Sequence, residues 1–123
     1  MTIYAIDHIL ITMPAGKEER ARRFYSQVLG LNEVPKPPAL AKQGGVWFKK
    51  ETVKLHLGVD PNFKPARKAH PALLVKDLNS LLARCQEAGY QVDTSQPPLD
   101  GYLRGHVSDP FGNRIELMER LSV

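Results

Sequence analysis

Residues 109–117 read DPFGNRIEL, a short polar segment that runs directly into alternating residues. Asp, Pro, Gly and Asn in the first five positions all favour a tight reversal of the chain. From residue 114 to residue 121, apolar side chains alternate with polar ones, which is the pattern of a strand with one buried face. With the strand-like run at residues 101–108, this stretch predicts a β-hairpin.

The residues before this hairpin predict a strand, a helix and a second, short strand. Residues 70–75 are strand-like, and residues 78–88 carry an apolar stripe with helical spacing. Asp77 is a suitable N-cap for that helix, and Gly89 suits the left-handed position that ends it. A short strand at residues 90–93 follows, so the second half of the chain predicts the order β-α-β-β-β.

The first half of the chain repeats that order. The predicted elements are a strand at 6–13, a helix at 17–29 that Gly30 ends, and strands at 31–34, 45–50 and 52–59, with a proline-rich break at 35–38. Residues 60–69 contain two prolines and no hydrophobic period, which is typical of a linker. We therefore predict one domain over residues 1–123, built from one module used twice, at about 1–60 and about 69–123.

Four metal-capable side chains occupy equivalent places in the two predicted modules. His8 and His70 lie in the first strands, and His56 and Glu116 lie in the last strands, with about 60 residues between equivalent positions. A single histidine in a strand is usually a surface or core residue. Strand alternation, however, places each of the four opposite an apolar face, so all four can face one concavity. The joint pattern predicts a metal site.

Composition limits the other classes of function. Hydrophobic residues make up 42% of the chain and charged residues 24%, and the single cysteine, Cys85, lies on a helical apolar stripe, so a disulfide framework is excluded. No apolar run approaches the ~20 residues of a membrane span, and no signal peptide begins the chain, so we expect a cytoplasmic protein without a membrane partner. The net charge of +4 comes without a nucleic-acid reader motif, which favours an anionic small-molecule substrate over nucleic acid.

The motifs resemble those of the vicinal oxygen chelate superfamily, which includes glyoxalase I, extradiol ring-cleaving dioxygenases and bleomycin-binding proteins. The matching stretches are DHI at 7–9, FYSQVLGL at 24–31, AHPALLVKDLNSL at 69–81 and DPFGNRIEL at 109–117. The resemblance implies an α+β fold of two βαβββ modules that form a curled, half-open mixed β barrel with helices on the outside. It also implies a homodimer, and in some members both subunits complete each metal site.

The resemblance assigns the metal ligands residue by residue. Family ligand positions fall on His8, His70 and Glu116, while His56 falls where some members place a fourth ligand, which is often glutamate or glutamine. Two histidines and a carboxylate suit one divalent ion of Zn, Ni, Co, Mn or Fe, and leave positions open for two neighbouring substrate oxygens. The resemblance to glyoxalase I implies Glu116 as the catalytic base, and His56 is the alternative.

Further residues are candidates for binding the substrate. Tyr102, Arg104 and His106 share one side of their predicted strand, where Arg104 can pair with a carboxylate or phosphonate and His106 can move a proton. Either Trp47 with Lys49 or Phe48 with Lys50 lines the wall of the first module. We expect a metal-dependent lyase or isomerase of the glyoxalase type. The alternatives are a ring-cleaving dioxygenase and a metal-free protein that binds an antibiotic or another small molecule.

Overall fold

A computed structural model describes residues 1–122 of the protein, so Val123, the end of the predicted second module, lies outside the described residues. The chain divides into two compact units, one comprising Met1–Lys64 and the other beginning at Pro65. This boundary falls inside the segment that the sequence predicts as a linker. Each unit contains helix and a four-stranded sheet.

The first unit has the order β-α-β-β-β with one additional short helix. Its elements are β1 (Ile9–Met13), α1 (Glu18–Ala21) continued by a π-helical stretch (Arg22–Val28), β2 (Asn32–Val34), α2 (Pro38–Ala41), β3 (Val46–Lys50) and β4 (Val53–Val59). The strands lie in the order β1-β4-β3-β2, with β1 parallel to β4 and the other pairs antiparallel. The parallel pair places the first and last strands of the unit side by side.

The predicted helical stripe supplies the core of the first unit. Ala21, Phe24, Tyr25 and Val28 are buried, and the Tyr25 ring lies 5.5 Å from that of Phe48 on β3. The last turn is wider than an α-helix, because the amide of Leu29 donates to the carbonyl of Phe24, five residues earlier. Gly30 then takes a φ of 83°, the left-handed conformation predicted for the end of this helix.

The second unit repeats the order without the additional helix. Its elements are β5 (Ala72–Leu74), α3 (Leu78–Glu87), β6 (Val92–Asp93), β7 (Tyr102–Ser108) and β8 (Arg114–Arg120). The strand order is β5-β8-β7-β6, and β5 again runs parallel to the last strand, β8. The predicted caps of α3 are present: the Asp77 side chain accepts a hydrogen bond from the amide of Ser80, and Gly89 has a φ of 94°. Cys85 is fully buried on the inner face of this helix, as predicted.

The turn at residues 109–113 is held by one buried carboxylate. Oδ1 of Asp109 accepts hydrogen bonds from the amides of Phe111 (2.9 Å) and Asn113 (2.8 Å), and Oδ2 accepts one from Nδ2 of Asn113 (2.9 Å). Asp109 is only 4% exposed. The turn sets the register of the hairpin, in which Ser108 pairs with Arg114 and His106 pairs with Glu116.

The predicted fold class is confirmed: the protein is α+β, and each unit has the βαβββ order. Two local predictions were wrong. The proline-rich break contains α2, because Pro38 occupies the first turn of that helix, where a missing N–H costs no hydrogen bond. The first strand of each unit begins later than predicted, β1 at Ile9 instead of residue 6 and β5 at Ala72 instead of residue 70, so His8 and His70 lie just before their strands. Among the described residues, no helix is both long and apolar enough to cross a bilayer.

Candidate metal centre

Three metal-capable side chains meet on one face of the second unit's sheet. Glu116 on β8 is paired directly with His106 on β7 and, across the parallel ladder, with Ala72 on β5. Directly paired residues project their side chains to the same face of a sheet. His70 lies two residues before Ala72, just ahead of β5, and its ring reaches the Glu116 carboxylate. The strand order thus brings His70 and His106 to Glu116 from opposite sides.

The ligand atoms of these residues are close enough to hold one ion. Nε2 of His70 lies 2.9 Å from Oε1 of Glu116, and Nε2 of His106 lies 3.5 Å from the same oxygen. All three ligand atoms lie within 4.8 Å of one another. The Glu116 and His106 residues are buried, whereas the His70 side chain is 23% exposed and gives access to solvent. We call His70, His106 and Glu116 the unit-2 cluster.

The hydrogen bonds of His70 determine which ring nitrogen carries the proton. Nδ1 lies 2.6 Å from the carbonyl oxygen of Lys68, and since a carbonyl only accepts, Nδ1 is the donor. In the neutral ring Nε2 then presents a bare lone pair toward the Glu116 carboxylate. Two lone pairs at 2.9 Å repel, so this contact requires either a second proton on the His70 ring, which then donates to Glu116, or a metal ion bound by both groups. The donor set therefore fits a divalent metal ion, with Nδ1 in the supporting hydrogen bond that metal-bound histidines usually make.

Arg104 holds the other oxygen of Glu116. Its guanidinium donates to Oε2 at 3.2 Å, and it also donates to the carbonyl of Pro97 at 2.6 and 3.1 Å. Burial by itself raises the pKa of the Glu116 carboxyl, but the hydrogen bonds from His70 and Arg104 and the charge of His106 outweigh burial, so the pKa is lowered. Glu116 is therefore a carboxylate at neutral pH, as metal binding requires.

The sequence-predicted substrate residues lie at different depths of this face. Arg104 contacts Glu116 directly, whereas Tyr102 is half-buried near the end of the sheet and is paired with Arg120. His106 is 3% exposed and lies beside the cluster, and its Nδ1 has no hydrogen-bond partner in the described structure. Sequence reasoning missed His106 as a candidate ligand. Counting the hairpin register outward from the turn would have placed it opposite Glu116.

The other two predicted ligands meet in the first unit as part of a stack of rings. The His56 ring lies between Trp47 (centroids 3.8 Å apart, planes at 3°) and His8 (4.3 Å, 18°). Trp47 is the direct β3 partner of His56, so Trp47 and not Phe48, which is fully buried in the core, lies beside the predicted ligands. Burial and then the charge of His8 lower the pKa of His56. We call Trp47, His56 and His8 the unit-1 stack.

His8 has the same supporting arrangement as His70. Its Nδ1 lies 2.9 Å from Oδ1 of Asp7, whose Oδ2 lies 3.5 Å from Nζ of Lys54. The hydrogen bond with His8 and the charge of Lys54 lower the pKa of Asp7. The carboxylate accepts from Nδ1, so Nε2 of His8 is left with a free lone pair.

The chain belongs to the Glyoxalase/Bleomycin resistance protein/Dioxygenase superfamily, whose family model matches residues 5–117. It is 43% identical to a glyoxalase family protein from Bacillus anthracis, with 98% of each chain covered and a TM-score of 0.88. An antibiotic binding protein from Streptomyces is 25% identical, with 98% of this chain and 99% of that chain covered and a TM-score of 0.73.

A fosfomycin resistance protein from Listeria monocytogenes has the same fold at 12% identity, with 98% of this chain and 96% of that chain covered and a TM-score of 0.76. A comparison with functionally curated proteins gave no match. These relatives establish the family and the fold and leave the reaction to be argued from the site.

Proposed function

We propose that the protein is a metal-dependent lyase or isomerase of the glyoxalase type that acts on a small substrate with two neighbouring oxygens. The observation that carries this proposal is the convergence of two imidazole nitrogens on one carboxylate oxygen: Nε2 of His70 lies 2.9 Å and Nε2 of His106 3.5 Å from Oε1 of Glu116. A bound divalent ion would supply Lewis acidity that stabilises negative charge on the substrate oxygens. The metal remains one of Zn, Ni, Co, Mn or Fe.

The protein groups around this site have separate proposed roles. His70, His106 and Glu116, the unit-2 cluster, hold the ion. The family position also assigns His8 as a metal ligand. Arg104 orients Glu116 through Oε2, while Oε1 is the oxygen that both imidazoles approach. Glu116 is also the proposed base, because it is the carboxylate of the unit-2 cluster and proton transfer requires a group within hydrogen-bond reach of the substrate.

We propose that His56 supports His8 and is not a ligand beside it. An imidazole lone pair lies in the plane of its ring, so a ligated metal must lie in that plane. The planes of His8 and His56 are nearly parallel with centroids 4.3 Å apart, and they do not meet at the ~2.1 Å distance of a metal–nitrogen bond. The stack instead fixes the orientation of the His8 ring.

A homodimer is also part of the proposal. Ile3, Tyr4 and Ile6 are 97%, 96% and 80% exposed, and they precede β1, an outer strand of its sheet. Outer strands carry unpaired backbone groups that another chain can cover. A second copy that covers this segment would remove the apolar side chains from water. Light scattering of wild type beside a Tyr4→Ser, Ile6→Ser variant tests this: we expect a dimer that the double substitution weakens.

Metal loading tests the main proposal. Metal-free protein is titrated with each of the five divalent ions, with oxygen excluded for iron, and bound metal is measured by calorimetry and elemental analysis. We expect one ion per chain in wild type, at least tenfold weaker binding in His70→Ala, and unchanged binding in His56→Phe. A wild type that takes up no ion under any of these conditions would refute the proposal.

A metal-free small-molecule binding protein is the second candidate. A cavity of about 430 Å³ in the first unit favours it, because apolar side chains line it beside the polar groups of His8 and His56: Leu10, Leu40, Trp47, Leu57 and Val59. The 25% identical Streptomyces protein, which binds an antibiotic, supports the same reading. Ligand binding that survives EDTA would favour this function over the first.

Oxygen uptake with a catechol would instead indicate a ring-cleaving dioxygenase. The cytoplasmic location remains a prediction from the sequence.

A further inference from the structure

A second cavity lies on the second unit beside the unit-2 cluster. Its volume is about 380 Å³, and its polar lining consists of Gln91, Asp93, His106, Ser108 and Arg114. His106 belongs to both places: its Nε2 lies near Glu116 and its ring lines this cavity. The cluster and the cavity are therefore neighbours on one face of the sheet.

Arg114 brings a positive charge into this cavity that no carboxylate of the described residues contacts. Its side chain is half-buried, and within residues 1–122 it has no carboxylate within 4.0 Å, whereas Arg104 on the same face is paired with Glu116. The charge of Arg114 acts on His106. A half-buried guanidinium without a carboxylate within 4.0 Å can bind a ligand anion, because its planar fork matches carboxylate and phosphate oxygens.

The other polar groups of the cavity fit the same occupant. His106 is buried with Nδ1 unpartnered in the described structure, which is unusual for a buried polar atom and indicates a neighbour that the protein itself does not supply. The Ser108 hydroxyl can donate to an anion. Asp93 carries the opposing charge, but its Oδ1 already accepts from the amide and hydroxyl of Ser95 at 2.8 and 2.5 Å.

We propose that this cavity binds an anionic group at the far end of the substrate, which Arg114 holds while the two chelating oxygens face the unit-2 cluster. The inference rests on the proposed function and narrows its substrate class. Arg114 and Glu116 are two residues apart on β8, which is about 6.7 Å along a strand. The substrate is therefore a chelating oxyacid with a second carboxylate or phosphate two to four bonds beyond its paired oxygens.

Matched ligands with and without the distal charge test this assignment. α-Ketoglutarate offers two chelating oxygens and a distal carboxylate, and α-ketovalerate has the same chain length with an uncharged end. Calorimetry on metal-loaded wild type should show at least tenfold tighter binding of α-ketoglutarate. Arg114→Gln should remove that difference, whereas Arg120→Gln, an exposed arginine on the same strand, should leave it intact. An analogue with a distal phosphonate shows which anion Arg114 prefers.

A second measurement separates this inference from the metal site. In metal-free protein, titration with succinate and with inorganic phosphate should shift the NMR signal of the Arg114 side-chain N–H and leave that of Arg120 in place. This shift would support the anion site even if no metal bound. Equal binding of the two ketoacids, or of neither, in metal-loaded wild type, together with an unshifted Arg114 signal, would overturn the inference.

Discussion

The imidazole of His70 and the carboxylate of Glu116 are in contact at 2.9 Å although 46 residues separate them in the chain. The contact follows from the parallel pairing of β5 with β8. Because Lys68 fixes the proton of His70 on the far nitrogen, the near nitrogen and the carboxylate form a place for a cation.

Glu116→Gln removes the negative charge of this side chain and keeps its shape. The amide has the size of the carboxylate and can donate to Nε2 of His70, so the variant should fold, while metal affinity should fall by at least tenfold because the anionic ligand is lost. Calorimetric metal titration measures the affinity, and circular dichroism checks the fold. Wild-type affinity in a folded Glu116→Gln protein would show that the carboxylate is not a ligand.

Asp7→Asn should weaken metal binding through His8. The carboxylate orients the His8 ring and increases its basicity, and loss of such a supporting group typically costs about 10–100-fold in affinity. Asp100→Asn, at an exposed loop position, serves as the control. If both variants bind metal as wild type does, the contact between Asp7 and His8 does not support the site.

His56→Phe should make the metal-free protein less sensitive to acid. Burial and the charge of His8 lower the pKa of His56 below its ordinary value of 6.5, so on acidification the unfolded chain takes up a proton before the folded chain does. Stability is therefore complete above about pH 6.5 and is lost as pH falls, by at most about 1.4 kcal/mol per pH unit for one histidine.

Phenylalanine keeps a flat ring in the unit-1 stack and removes this proton. Urea unfolding between about pH 7.5 and about pH 5 should then show a shallower loss of stability in His56→Phe than in wild type. Some loss should persist, because burial also lowers the pKa of His106. Identical pH slopes in the two proteins would contradict the assignment.

Asp109→Ala should destabilise the hairpin turn strongly. The substitution leaves the buried amide of Asn113 and the amide of Phe111 without their acceptor, and we expect a loss of about 3 kcal/mol in the free energy of unfolding. Asp109→Asn keeps one oxygen and should cost less. Chemical denaturation measures both, and an unchanged midpoint for Asp109→Ala would show that the turn forms without this carboxylate.

Gly45→Ala should destabilise the folded protein by more than the cost of placing alanine in a left-handed backbone conformation. Gly45 has a φ of 86°, and an added Cβ would lie 2.2 Å from the carbonyl oxygen of Leu57. We expect a cost above about 2 kcal/mol. Gly16 has a φ of 77° with open space around the same position, so Gly16→Ala should cost only about 1 kcal/mol. Equal costs would mean that the backbone moves away from the new methyl group.

The sequence predicted the elements whose signals are local. The helical stripes, the caps at Asp77 and Gly89 and the turn at 109–113 depend on neighbouring residues, and all were correctly placed. Side-chain alternation placed Arg104, His106 and Glu116 on one face, and the register of β7 with β8 bears this out.

Contacts that depend on exact distances could not be predicted in this way. Alternation gives the face of a side chain but not its neighbour, so it did not show that the His56 ring stacks flat between Trp47 and His8. It also could not assign the His70 proton, which depends on the carbonyl of Lys68 in an irregular segment. Helix α2 was not predicted because prolines at 35, 37 and 38 indicate a break. Proline does break a helix interior, but it is tolerated in the first turn, where Pro38 lies.

The parallel pairing of β5 with β8 has a consequence for how the protein is made. The two strands that bring His70 to Glu116 are the first and the last of their unit. During synthesis His70 emerges from the ribosome 46 residues before its carboxylate partner, and the cluster cannot assemble until β8 has paired with β5. If the unit-2 cluster binds a metal ion as we propose, the ion can be captured only after β8 has paired with β5.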